Sequence, residues 1–265
     1  MGYSIFESTM VDLSYPQIEK FAHKRAPVLF PVSVVEEHGP HLCTGVDIYL
    51  TQCVCSKIKK CLSENHIESI IAPPFYWGIN SMTDGFPGSF TISQNTAKQM
   101  LYEILQNFEK WGFSHVFLIS FHGDIQHMNM LAELVQEAVS KLKLQIYYVV
   151  EGSLFSVLGK EDYANCFLPV NLSVEQCSVE SDYMDLHAGA NETSWMLSEY
   201  PQLVDYDIAK SLKPSELNLS EIKRWMSGGE SSKGIIPNGY VGNPANIQID
   251  RIRQVENFQK SFRRP

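Results

Sequence analysis

The chain has 265 residues, enough for one large domain or two small ones around a substantial core. Hydrophobic residues make up 44% and charged residues 19%, an ordinary soluble globular composition. The formal net charge of −9 at pH 7 argues against a nucleic-acid or anionic-membrane partner, which would need a local basic patch.

Met1-Gly2-Tyr3-Ser4-Ile5 has no basic n-region and no long apolar run, so it does not read as a signal peptide. A cytoplasmic protein is expected. The first 27 residues suggest a short helix or two, with Tyr15-Pro16 at a helix start. Residues 28–35 form an apolar first strand, and it empties into Glu36-Glu37-His38-Gly39-Pro40-His41. From Asp47 to Leu62, Ile48, Leu50, Val54, Ile58 and Leu62 recur at helical spacing. Ile67 to Ala72 is a second strand, stopped by Pro73-Pro74. A loop follows and closes on Gly85-Phe86-Pro87-Gly88.

Ser93 caps a helix that runs to about Trp111 and ends at Gly112. His115 to Phe121 is a third strand and empties into His122-Gly123-Asp124. Residues 125–142 are a helix with Leu131, Leu134, Val135, Val139 and Leu142 on one side, and Gln145 to Val150 is a fourth strand. Residues 152–182 lack pattern. Asp185 to Ser194 leads into a helix through about Tyr200, residues 205–247 read as long loops over the site, and 248–262 as a final helix. In the basic tail from Arg251 to Arg264, Asp250 and Glu256 interrupt the charge, so it reads as a solvated helix face. The six cysteines form no CxxC pair and read as free thiols. No run approaches the roughly 18 apolar residues that a spanning helix needs.

Strand–helix alternation predicts a three-layer α/β fold, a mostly four-stranded parallel sheet flanked by helices, as one domain over 1–265. In such sheets ligands collect at the carboxyl ends of strands. Glu36 and His38 stand two apart after the first strand, and His122 and Asp124 repeat that spacing after the third. Residues two apart in an extended segment face the same side. With Asp47 they make two imidazoles and three carboxylates, the donor set of a dinuclear divalent-metal site. Glu37 suits a carboxylate that orients a ligand histidine. His41 fits a turn, a supporting or a substrate-facing role equally. His187 and Glu192 read either as a helix cap with an acidic first turn or as a general acid/base above the metals.

These residues resemble the creatininase (creatinine amidohydrolase) family. The matching motifs are Glu36-Glu37-His38-Gly39-Pro40-His41-Leu42-Cys43 with Val46-Asp47, Phe86-Pro87-Gly88-Ser89, and Ser120-Phe121-His122-Gly123-Asp124. Two more follow in the same order: His187-Ala188-Gly189-Ala190-Asn191-Glu192-Thr193-Ser194 and Gly239-Tyr240-Val241-Gly242-Asn243-Pro244. The resemblance implies two divalent ions, Zn²⁺, Mn²⁺ or Fe²⁺. Glu36, Asp47 and His122 would hold one ion, His38, Asp47 and Asp124 the other, with Asp47 bridging. It also implies His187 as the proton-transfer residue, Glu192 beside it, and a homohexamer. The implied substrate is a small cyclic or formyl amide, and relatives that deformylate a pyrimidine intermediate or cleave a modified peptide give alternatives. A metal-binding module without turnover is the non-enzymatic alternative. The chain departs from the family pattern at Asp124, at Thr83 (a loop histidine elsewhere), and at Ser153 and Tyr183, which align with tryptophans of true creatininases.

Overall fold

The structure, a computed structural model, describes residues 4–151, 166–170, 184–229 and 231–249. It groups into two compact units, each assembled from separated stretches of chain. Unit 1 comprises Met1–Val34, Asp47–Ile79 and Ile92–Asn171, and unit 2 comprises Val35–Val46, Asn80–Thr91 and Leu172–Pro265.

Unit 1 holds a parallel sheet. Its strands are β1 (Val28–Pro31), β2 (Ile70–Ile71), β3 (His115–Ile119), β4 (Gln145–Glu151) and β5 (Phe167–Val170), in the order β2-β1-β3-β4-β5. Val28 pairs with Ile70 on one side and Val116 on the other, and Tyr148 pairs with Phe167. The four residues of β1 are all buried, as expected of a parallel strand covered on both faces. The fold is the expected three-layer α/β arrangement with one more strand than the sequence indicated. β5 lies in the stretch read as patternless. Only Phe167 of its first three residues is buried, and Pro169 suits an edge strand.

Helix α1 (Tyr15–His23) starts with proline in its first turn, as expected. Helices α3 (Gln94–Lys110) and α4 (Ile125–Lys141) bury Ala97, Leu101, Leu105 and Phe108, and Met128, Leu131, Val135 and Ala138. These pack with Val28, Phe30, Val116 and Leu118 in one cluster. Helix α2 (Val46–Glu64) sets Cys55, Val54 and Ile58 against Leu29, Ile71, Phe117 and Ile119. Alternate residues of β1 and β3 thus serve opposite faces. Ser93 caps α3 by accepting the Thr96 N–H at 3.3 Å, and Gly112 ends it at φ +89°. Val139 is not on the apolar side but 40% exposed, and Ala138 takes that place. At about 100° per residue, Ala138 lies roughly 20° round the helix from Leu131 and Val139 roughly 80°.

Gly78 permits a close approach. A Cβ there would stand 2.6 Å from the His127 ring and 2.6 Å from Val34 Cγ1. Gly78→Ala should destabilise the protein by about 1–3 kcal/mol, because buried overpacking forces neighbours off their rotamers. Thermal unfolding should register a fall of about 2–4 °C per kcal/mol, and an unchanged melting temperature would show that His127 yields freely.

Unit 2 contains α5 (Ala190–Glu199), α6 (Tyr206–Ser211), α7 (Leu219–Met226) and α8 (Ser231–Ile235). Met82, Trp225, Ile236 and Val241 form its buried cluster. Residues 205–247, expected as loops, therefore hold three short helices. Pieces of five to eight residues are too short to display a period, but α7 carries a legible start, Asn218 and Glu221 forming a reciprocal cap. The final helix expected over 248–262 lies, from residue 250, outside the described residues, as do Ser153 and Tyr183. Cys43, Cys53, Cys55, Cys61 and Cys166 are free thiols, and Cys177 is outside the described residues. No helix among the described residues is long and apolar enough to cross a membrane.

Candidate metal centre

In unit 1, Asp47 lies in the first turn of α2, where the helix dipole favours a carboxylate. His122 follows β3. Both are buried, and His122 Nδ1 stands 3.1 Å from Asp47 Oδ2. The other ring nitrogen, Nε2, is 2.8 Å from the Ile79 carbonyl oxygen. A carbonyl only accepts, so Nε2 carries the proton and donates it. In the neutral ring, Nδ1 then presents a lone pair to a carboxylate oxygen. Two buried acceptors face to face require a cation between them, either a proton or a metal.

Unit 2 repeats the pattern. His38 Nδ1–H donates to the Glu36 carbonyl at 3.0 Å, which turns Nε2 toward Glu192 Oε1 at 3.9 Å. Glu36, His38 and His187 each offer a ligand atom, and these lie within 4.8 Å of one another. Ligand atoms each about 2.0–2.2 Å from one zinc ion stand roughly 3–4 Å apart. The donor sets therefore suit a divalent cation in both number and spacing.

The turn before α5 aims His187 and Glu192. Ala188 is in the left-handed region at φ +47°, a cost of about 1–2 kcal/mol for an L-residue, and its N–H donates to Glu192 Oε2 at 2.5 Å. One Glu192 oxygen thus holds the turn while the other faces His38. Asp185 accepts the N–H groups of Ala190 and Asn191 at 2.7 and 2.8 Å and serves as the helix's anion. A side chain at Gly189 would overlap Asp185, so glycine is required there.

His187 Nε2–H donates to the Glu37 carbonyl at 2.9 Å, with Glu37 Oε1 at 3.5 Å. Burial presses the His187 pKa down. The charges of Glu36 and Glu192 and the hydrogen bond to Glu37 outweigh burial and the opposing His38, leaving it above 6.5. His41 is pushed the other way, to about 4, by burial and by His38 and His187. It stays neutral, with Nε2 2.8 Å from Thr193 Oγ1.

Asp124 is the N-cap of α4. Its Oδ1 accepts the N–H groups of Gln126 and His127 at 2.8 and 3.1 Å. Three supporting residues were assigned no role from the sequence, although Thr83 and Ser89 stood in or beside a matched motif. His127, fully buried and held neutral by burial, packs edge-on against His122 at 5.1 Å. Thr83 and Ser89 reach Glu36 and Glu37 through hydroxyl groups.

A family model described as creatininase, creatinine amidohydrolase, matches residues 11–255. The creatinine amidohydrolase of Pseudomonas putida is 24% identical over 185 residues, covering 68% of this chain and 66% of that protein, just under two thirds of its length. The mycofactocin precursor peptide peptidase of Mycolicibacterium smegmatis is 27% identical over 227 residues, covering 84% of this chain and 76% of that one. A solved structure described as creatininase Mn superposes with a TM-score of 0.70 at 17% identity over 97% of both chains, a likeness of fold.

Proposed function

The chain belongs to the creatininase family, and on that premise we propose that it is a metal-dependent amidohydrolase of small cyclic or formyl amides. The observation that carries the metal is the pair of imidazoles, His122 and His38, each locked by a backbone carbonyl so that its remaining nitrogen faces a carboxylate. The proposal includes one creatininase-like domain over 1–265, a cytoplasmic location and a homohexamer, the last read by light scattering.

Glu36, Asp47 and His122 would hold one ion, and His38, Asp47 and Glu192 the other. Glu192 is preferred to Asp124 because Asp124 Oδ1 already accepts two helix N–H groups, whereas Glu192 Oε1 faces His38. Such ions would supply polarisation of the amide carbonyl and would lower the pKa of a coordinated water toward about 7. His187 stands beside Glu36 and His38. There it would take at Nδ1 the proton given up by the attacking water and pass it to the leaving nitrogen as the amide C–N bond breaks, while Nε2–H stays on the Glu37 carbonyl. The Zn²⁺, Mn²⁺ and Fe²⁺ alternatives all suit this mixed nitrogen and oxygen set.

A second reading, hydrolysis of a modified peptide, is favoured by the greater identity and coverage of the peptide peptidase relative. Chelator treatment should remove turnover of whichever substrate is active, and Zn²⁺ or Mn²⁺ should restore it. A panel of creatinine, formyl amides and modified peptides separates the two readings. Full turnover by metal-free protein, verified by elemental analysis, sinks both.

A further inference from the structure

The Phe86-Pro87-Gly88-Ser89 loop has no role in the chemistry above, yet it reaches Glu36 through a chain of hydroxyls. The Glu37 backbone N–H donates to Ser89 Oγ at 3.0 Å. Ser89 donates to Thr83 Oγ1 at 3.2 Å, and Thr83 donates to Glu36 Oε1 at 2.6 Å. Both ends fix the direction. An N–H can only donate, so the Ser89 oxygen accepts there and sends its own proton onward. An ionised carboxylate can only accept, so Thr83 must donate. The last bond has the length of a charge-assisted O–H···O⁻ contact.

The loop is pinned so that this chain of bonds keeps its register. Asn80, fully buried, donates from Nδ2 to the carbonyls of Val35 and Phe90 at 2.9 and 2.7 Å. The Phe90 N–H donates back to the Val35 carbonyl at 3.0 Å. Thr83 is also fully buried, so no water competes for its hydroxyl.

The geometry points to Thr83 and Ser89 as positioning residues for Glu36: their relay holds Oε1 and so fixes the orientation of the carboxylate. This rests on the reading of Glu36 as a metal ligand. A carboxylate held at one oxygen has fewer rotamers to lose on ligation and is discouraged from closing on the ion with both oxygens. Groups that orient a ligand in this way are each worth about 10–100-fold in metal affinity.

The test is Zn²⁺ binding to metal-free protein by chelator competition, with the visible spectrum of the Co²⁺ form as a reading of coordination. Thr83→Val keeps the shape and removes the donor. It should weaken Zn²⁺ by about 10–100-fold and alter the Co²⁺ spectrum. Thr83→Ser, which restores the hydroxyl, should rescue both. Ser89→Ala should weaken Zn²⁺ less and carries the test alone if Thr83→Val does not fold. If Glu36→Gln loses Zn²⁺ but Thr83→Val and Ser89→Ala bind as wild type, the relay is overturned and the ligand stands. Wild-type affinity in Glu36→Gln overturns both. A Thr83→Val protein with a lower melting temperature but an unmoved Co²⁺ spectrum also overturns the relay, since that is what a packing role would give.

Discussion

Asp47→Ala should release both metal ions and reduce turnover to the uncatalysed background. The side chain is 2% exposed and its Oδ2 stands 3.1 Å from the lone-pair nitrogen of His122. Losing the one carboxylate assigned to both ions should cost far more than the about 10–100-fold associated with an outer partner. Elemental analysis should therefore fall from two ions per chain to none. The loss should also appear in stability. An ion that binds only the folded state stabilises it by RT ln(1 + [L]/Kd), about 2.7 kcal/mol at a hundred times Kd. Added Zn²⁺ should raise the melting temperature of the wild type and leave that of Asp47→Ala unmoved. Asp47→Asn keeps the volume and removes the charge, and it should behave like the alanine variant. Retention of two ions would remove Asp47 from the bridging position, and retention of one would assign it to a single ion.

Glu36 and His38, and His122 and Asp124, were visible in the sequence because extended chain repeats every two residues. Ligand-type side chains at that spacing after an apolar run stand out without any tertiary information. What tells a ligand from a cap at Asp124 is not in the letters. The same aspartate suits both roles, and the choice rests on the Gln126 and His127 N–H groups of the helix that follows. The feature that makes His122 and His38 convincing was also hidden, because their partners are the carbonyls of Ile79 and Glu36, groups every residue carries. Thr83 was legible only as an absent histidine. Its value comes from a partner 47 positions away, and no local pattern encodes that. β5 was missed for a related reason. A four-residue edge strand with Pro169 in it has neither the alternation nor the buried run that marks a strand.

His187→Gln should leave both ions in place and lower kcat by about 10²–10⁴-fold, the usual contribution of a positioned acid/base. The retained metal separates this from the Asp47 result, because His187 lies close enough to Glu36 and His38 to be a ligand itself. Loss of metal in His187→Gln would move it from proton transfer to ligation. The metal-free proteins give a second reading, in pH. The His187 pKa lies above 6.5 when Glu36, Glu37 and Glu192 face it without an ion. A raised pKa in the folded state means that the folded protein holds a proton the unfolded chain has given up. The stabilisation is complete below about 6.5 and disappears as pH rises through the folded pKa. Metal-free wild type should therefore lose stability over that window, and His187→Gln should lose less. Zn²⁺ should flatten the wild-type curve as well, because it answers the same carboxylates. A wild-type curve with the same slope in the presence and absence of Zn²⁺ would mean that the ion and the His187 proton do not share those acids, and the assignment of Glu36 and Glu192 as ligands would fail with it.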